Sequence, residues 1–221
     1  MLPRLAYPID EIPIDHVILA IDSLERGVEL FRRVSGVTAV YGGAHRGSGT
    51  QNALVALGRE RYLEILAPNP ADTSASARAT QAERDSSFRT LRSLTPVGWA
   101  IRTRDAAAER ERLVSRGLNA GQVRPGSRAR PDGTLLRWRT FDPWGADSDL
   151  LPFMIEWLTG TRHPSTDAPS GCTLTGLSIA SRAPDSLRAL FGRVDLHVDV
   201  SSSSSDRLRF TMQCPAGAVE F

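Results

Sequence analysis

The sequence predicts an α+β protein made of repeated βαβββ modules, whose curved mixed sheets surround a concave pocket. Three observations carry this reading. Short apolar, branched runs alternate with turn residues; a helix signature follows the first run of each unit; and that order restarts three times within 221 residues. Recurrence of one supersecondary unit is structural information even where the repeats share little identity.

The first unit covers residues 12–68. Residues 14–21 are apolar and rich in branched side chains and read as a buried strand. Asp22 with Glu25 three positions later forms an N-cap signature. Leu24, Val28, Phe31 and Val34 recur at helical spacing, and Gly36 ends the helix. Val37–Tyr41 returns to β character, followed by the glycine-rich stretch 42–49, a strand over 52–57, a turn at Gly58-Arg59-Glu60 and a strand from Tyr62 to Ala67. Residues 69–95 are polar and read as a linker with a helix near 80–94.

The second unit covers 96–165. Val97–Arg102 is a strand, Asp105 caps a helix that Gly117 ends, and residues 124–133 form a turn-rich basic stretch. Leu135–Phe141 and Leu151–Trp157 are strands. The third, shorter unit covers 172–221. It has a strand from Leu174, a helix opened by Pro184, and strands at 194–200, 208–212 and 218–221. The run Ser201–Ser205 reads as a hairpin loop. One helix covers only one face of its sheet, so two units side by side turn their free faces into a shared concavity suited to a small-molecule ligand. The third unit either completes the barrel-like sheet or pairs across a homodimer.

Composition narrows the function classes. The hydrophobic fraction is 41%, the charged fraction 24% and the net charge +2, which gives no global field for nucleic acid or anionic membrane. All 27 basic residues are Arg, which excludes Schiff-base chemistry through lysine. Cys172 and Cys214 lie far apart and have neither metal spacing nor the density of a disulfide scaffold. No secretory signal and no apolar run of membrane length are visible, so a cytoplasmic, bacterial-type protein is the expectation.

Two polar residues stand out on apolar strands. His16 shares a strand face with Ile14, Ile18 and Ala20, and Glu64 shares one with Tyr62 and Leu66. A carboxylate there is costly unless a cation or hydrogen-bond donors satisfy it. Imidazole and carboxylate ligands around Zn, Fe, Mn or Ni would do so. A plain structural role is the other reading, with Glu64 paired to an Arg and His16 a core imidazole. The glycine stretch lacks the Lys-Ser/Thr ending of a phosphate loop. It reads either as a pocket rim, with His45 and Arg46 touching an anionic ligand and Asn52 orienting it, or as a surface hairpin. Arg124, Arg128, Arg130, Arg137 and Arg139 form a solvated hairpin or an anion-attracting lip. His163 reaches the pocket or caps a turn.

Ile14-Asp15-His16-Val17, the stretch from Gly42 to Leu54, Tyr62-Leu63-Glu64-Ile65, Val97-Gly98-Trp99-Ala100, Leu151–Trp157 and His163-Pro164 together resemble a glyoxalase-like domain of the vicinal oxygen chelate superfamily. The likeness is close over 12–165 and weaker over 172–221. It implies one divalent metal between paired modules, with His16, Glu64 and Glu156 as ligands and Trp99 at the fourth position, where an indole walls the pocket. It also implies a metal-assisted lyase, isomerase or dioxygenase in which Glu64 or Glu156 serves as base. The alternative it implies is a non-catalytic small-molecule binding protein of the bleomycin-resistance type.

Overall fold

The computed structural model describes residues 8–45, 47–76, 88, 90–130, 132–145 and 148–221. The helix expected near 80–94 falls largely outside these residues, as does Arg46.

The first unit is β1 (Ile14–Ala20), α1 (Leu24–Ser35), β2 (Val40–His45), β3 (Thr50–Ala56) and β4 (Tyr62–Pro68). The second is β5 (Thr95–Arg102), α2 (Ala106–Ser115), β6 (Arg124–Ala129), β7 (Leu135–Phe141) and β8 (Phe153–Trp157). Their eight strands form one mixed sheet in the order β2-β3-β4-β1-β5-β8-β7-β6. The two units join at an antiparallel β1–β5 pairing in which His16 lies beside Ala100 and Ile18 beside Gly98. Register shifts flank His16 in this ladder, between Ile14 and His16 and between Ile18 and Leu19. Ile14 therefore joins the main core instead of sharing the face of His16.

The sheet curls until its two edge strands, β2 and β6, touch. Gly42 and Gly43 make that approach possible. A Cβ on Gly42 would overlap the Arg128 guanidinium and the Asn52 side chain, and one on Gly43 would overlap the Ala129 carbonyl. Gly43 also has φ of 135°, which L side chains rarely adopt. The stretch 124–129, expected as turns, is thus a strand because it has a ladder with β7 and an opposing edge to meet.

Local chemistry sets the helices much as their sequences suggest. α1 is capped one residue later than expected, by Ser23, whose Oγ accepts from the Arg26 amide. Asp22 instead binds Arg26 and Arg92. The Asp105 side chain accepts from Ala107 and Ala108 at the start of α2.

The third unit neither completes the large sheet nor leaves its apolar face free. Its strands β9 (Thr173–Ser181), β10 (Asp199–Ser202), β11 (Arg207–Cys214) and β12 (Gly217–Glu220) form a separate sheet in the order β10-β9-β11-β12. Leu174, Leu177, Ile179, Phe210 and Met212 from this sheet share one core with Val17, Leu19 and Trp99 from the convex side of the large sheet. Its helix α3 (Pro184–Gly192) places Phe191 edge-on against Trp99 and Trp144. Strand β10 takes up Ser201 and Ser202, so only the end of the serine run is loop. Cys172 and Cys214 form a disulfide that ties the start of β9 to the end of β11. The two cysteines are thus a single clamp within the third unit.

Candidate functional site

Strand alternation decides which side chains look inward. The concave face of the large sheet encloses a cavity of about 750 Å³. β1 contributes His16 and Ile18, β3 contributes Thr50 and Asn52, and β4 contributes Tyr62, Glu64 and Leu66. β6 and β7 add Arg128 and Trp138, and β8 adds Phe153, Ile155 and Trp157.

Glu64 is the centre of the polar part. It is only 7% exposed and stands between two imidazoles, with His16 Nε2 at 3.8 Å from Oε2 and His45 Nε2 at 3.7 Å from Oε1. The Asn52 amide donates to Glu64 Oε1 at 2.5 Å, and Arg128 Nη1 donates to Asn52 Oδ1 at 2.8 Å. Burial on its own would raise the Glu64 carboxyl. The charges of His45 and His16, the Asn52 hydrogen bond and the charge of Arg128 outweigh it and hold the group below the usual carboxylate range. Glu64 is therefore an ionised carboxylate facing a cavity. Arg128, itself 5% exposed, keeps its charge close by without contacting the carboxylate in a bidentate pair.

Behind His16 lies Asp15, fully buried. Its Oδ1 is 2.9 Å from His16 Nδ1, and its Oδ2 meets Arg102 Nε at 3.0 Å, Trp157 Nε1 at 3.0 Å and His163 Nε2 at 3.2 Å. Burial favours the neutral acid, but hydrogen bonds from His16 and His163 and their charges prevail and push the carboxyl far below its ordinary value. Tyr62 stacks on the His16 ring with centroids 4.6 Å apart, and Phe153 meets the same ring edge-on at 5.4 Å. The imidazole is thus fixed on three sides, with Nε2 left toward Glu64 and the cavity.

The expected site residues divide clearly by position. His16, His45, Asn52 and Glu64 converge on the cavity. His163 stands one layer back. It binds Asp15, packs edge-on against Tyr62 and Trp157, and caps a short 3-10 turn by accepting from the Ser165 amide. Trp99 is corrected: it points to the convex side, is fully buried, and donates from Nε1 to the Leu150 carbonyl at 3.1 Å. Glu156 is corrected as well. On β8 the inward positions are Phe153, Ile155 and Trp157, so Glu156 faces outward and accepts from the Ala106 amide at the N-terminus of α2 at 3.0 Å. A carboxylate at that helix end is stabilising by roughly 0.3–1 kcal/mol. Glu156→Gln is accordingly expected to cost less than about 1 kcal/mol in urea unfolding and to leave ligand binding unchanged.

These positions bear on the metal that the resemblance implies. Of the three expected ligands, His16 and Glu64 face the cavity and Glu156 does not. The facing positions of the second unit, Gly98 and Phe153, bring no donor atom. Glu64 Oε1 is already occupied by an amide proton from Asn52. Among the described residues no group of three or more His, Cys, Asp or Glu side chains is placed to hold a metal ion. The residues present do not complete the expected metal site.

Several site residues escape sequence reasoning. Asp15 belongs by alternation to the other strand face, and the register shift beside His16 turns it to serve that residue instead. In the basic stretch, only the buried one of the five arginines, Arg128, enters the cavity; Arg130 binds Asp167 and the Arg162 carbonyl. A period-2 count along 124–129, had that stretch been read as a strand, is the signal that singles it out.

Comparison with known proteins agrees with this architecture. The model of the glyoxalase-like domain family matches residues 14–194. No curated protein matches the chain. A hypothetical protein from Staphylococcus aureus superposes with a TM-score of 0.69 at 15% identity, covering 94% of this chain and 98% of that one. Methylmalonyl-CoA epimerase from Mycobacterium tuberculosis gives a TM-score of 0.41 at 21% identity, over 71% of this chain and 91% of its own. A variant of the Streptomyces coelicolor methylmalonyl-CoA epimerase, in complex with 2-nitronate-propionyl-CoA, gives 0.44 at 19%, over 68% and 98%. At 15% identity the likeness to the Staphylococcus aureus protein speaks to fold alone. With two βαβββ units paired around one cavity and a family match over most of its length, this chain belongs to the glyoxalase-like domain family and has the vicinal oxygen chelate fold.

Proposed function

We propose that this protein binds a small organic molecule in the cavity and that Glu64 accepts a proton from it. The observation that carries the reading is a buried, ionised carboxylate on the cavity wall, aimed between two imidazoles. Such a group is available as a general base because it is ionised and faces the cavity before a ligand arrives. His16, held from behind by Asp15, has its Nε2 beside the same carboxylate and can receive or return the proton. Trp138, Trp157 and Phe153 supply an apolar wall that would exclude water from the reacting atoms. An isomerase or lyase acting at an acidic C–H bond fits this set best. A metal-assisted step is not part of the proposal, because the donor set is incomplete.

The test is a thermal-shift screen of ketone, enediol and catechol-like compounds, followed by proton NMR of the hits in deuterated water. Exchange of one C–H proton is expected with the wild type. Glu64→Gln should slow that exchange by roughly 10²–10⁴-fold while the compound still binds. Exchange that persists in the variant would remove Glu64 from the role.

A second reading is a non-catalytic binding protein. It is favoured by Gly98 and Phe153, cavity-lining positions of the second unit that bring no titratable side chain. Hits that bind and never exchange would select it. A cytoplasmic setting belongs to either reading, and there the Cys172–Cys214 pair would be kept under reducing pressure. Among the described residues no helix is long and apolar enough to cross a membrane.

A further inference from the structure

Arg128 has few partners for its depth. It is 5% exposed and lines the cavity from β6. A guanidinium carries several N–H donors in one planar fork, and Arg128 Nη1 gives one proton to Asn52 Oδ1 at 2.8 Å. Among the described residues Arg128 makes no other hydrogen bond and no ion pair, and none of its unpaired nitrogens is sealed from solvent. The edge left vacant carries Nε and Nη2. Elsewhere in this chain that same edge clasps both oxygens of a carboxylate, Glu29 against Arg32 and Glu109 against Arg112. Those pairs lie at or near the surface, whereas Arg128 holds its fork inside. A buried cation is costly unless it is paired, and burial weighs against the Arg128 charge.

The acidic groups of the cavity do not supply the missing partner. Glu64 is compensated by His45, His16 and the Asn52 amide. Asp142 turns Oδ1 to the Trp144 and Gly145 amides. Burial pushes the Asp149 carboxyl up, toward the neutral acid. Tyr62 stays protonated, because burial and the charges of Asp15 and Glu64 raise its hydroxyl, so it adds a donor to the same wall. Arg128 pairs with Leu136 across the β6–β7 ladder, which puts Trp138 at the diagonal position beside it. Trp138 in turn meets Trp157 edge-to-face at 5.6 Å. A flat apolar wall thus adjoins the guanidinium.

We infer that the cavity takes a carboxylate ligand with a flat apolar body, the carboxylate clasped by the Nε and Nη2 edge of Arg128 and the body lying along Trp138 and Trp157. A planar carboxylate meets that fork with two parallel, charge-assisted hydrogen bonds. A primary amide of the same shape offers one neutral acceptor, and an ammonium offers none. The Asn52 amide bridges Arg128 Nη1 and Glu64 Oε1. A ligand anchored on the guanidinium therefore has the carbons next to its carboxylate within one side-chain amide of Glu64. The anionic ligand expected at the glycine-rich rim keeps its charge and gains Arg128 as its partner, opposite Gly42 and Gly43. The inference rests on the proposed small-molecule reading and specifies the ligand class for it.

Three indoles that differ in their polar end test it: indole-3-acetate, indole-3-acetamide and tryptamine. They are titrated by calorimetry into the full chain with EDTA present, and contact is located by the Trp138 and Trp157 indole N–H signals in proton–nitrogen NMR. Indole-3-acetate is expected to bind at least about tenfold more tightly than the amide, and tryptamine to bind more weakly than either. Arg128→Gln is expected to cut the advantage of the acid over the amide to below about threefold and to leave the amide nearly unchanged. The indole signals of the unliganded variant report whether its cavity is intact; if it is not, the comparison of acid with amide on the wild type decides by itself. An amide or amine that binds the wild type as tightly as the acid would overturn the inference while leaving cavity binding standing, and so would a preference for the acid that survives Arg128→Gln in an intact cavity. If none of the three moves either indole signal at millimolar concentration, the inference falls, and the thermal-shift screen of other compounds decides separately whether the small-molecule reading falls with it.

Discussion

Asp15→Ala is expected to lower stability by about 3–5 kcal/mol. The carboxylate is fully buried and is the common partner of His16, His163, Trp157 and Arg102. Its removal leaves two imidazoles and an indole N–H without this acceptor, while Arg102 keeps Glu60, and each buried donor so stranded costs about 1–3 kcal/mol. Against a usual total of roughly 5–15 kcal/mol, the variant would be close to unfolding at growth temperature. Urea unfolding monitored by tryptophan fluorescence measures this directly. A loss under about 1 kcal/mol would mean that water replaces Asp15 at little cost.

The same residue sets an acid limit. The folded Asp15 pKa lies well below its unfolded value of about 3.9, so the group contributes stability that is fully present above that value. The contribution is lost as pH falls from about 5 toward the folded pKa, because the unfolded chain then binds the proton more readily than the native one. Glu64 is depressed in the same direction and adds to the same limb. Asp15→Asn should flatten the dependence of unfolding free energy on pH below about 5.

Reduction of the Cys172–Cys214 bond is the second large effect. The bond closes a loop with a sequence separation of 42. Chain entropy at that length predicts a loss of about 4 kcal/mol when the link opens. For a chain of this size the melting temperature should fall by roughly 8–16 °C in reducing buffer. Cys172→Ser should reproduce the shift without reductant. Maleimide labelling of the denatured protein distinguishes the cases, with no thiol modified before reduction and both modified after it. An unchanged melting temperature would mean that the third unit holds β9 and β11 together by its core alone.

The architecture was legible because each unit declares itself through local chemistry. Asp105 before an alanine-rich run, Gly36 after an amphipathic one, and Arg59 and Glu60 in left-handed conformation between β3 and β4 are all turn or cap decisions taken within a few residues. The site was less legible because inward orientation is a matter of parity, and parity changes at a bulge. A one-residue shift beside His16 brings Asp15 and His16 to serve one cluster, and a one-residue miscount on β5 and β8 replaces Trp99 and Glu156 by Gly98 and Ile155. Arg128 could not be separated from its neighbours without knowing that 124–129 pairs as a strand. The packing of the third unit on the convex side likewise depends on long-range burial that no local pattern reports.

The contact between β2 and β6 has a consequence for self-association. A strand at the rim of a sheet normally exposes a row of unpaired amides and carbonyls that a second chain can extend, and folded proteins must guard against this templating. Here the eight-stranded sheet turns both rims on each other at the Gly42–Gly43 seam. The open rims of the described structure belong to the small sheet, at β10 and β12, each only four residues long. Growth by strand addition is therefore confined to two short ladders on the side of the molecule away from the cavity, and the ligand-facing wall is insulated from it.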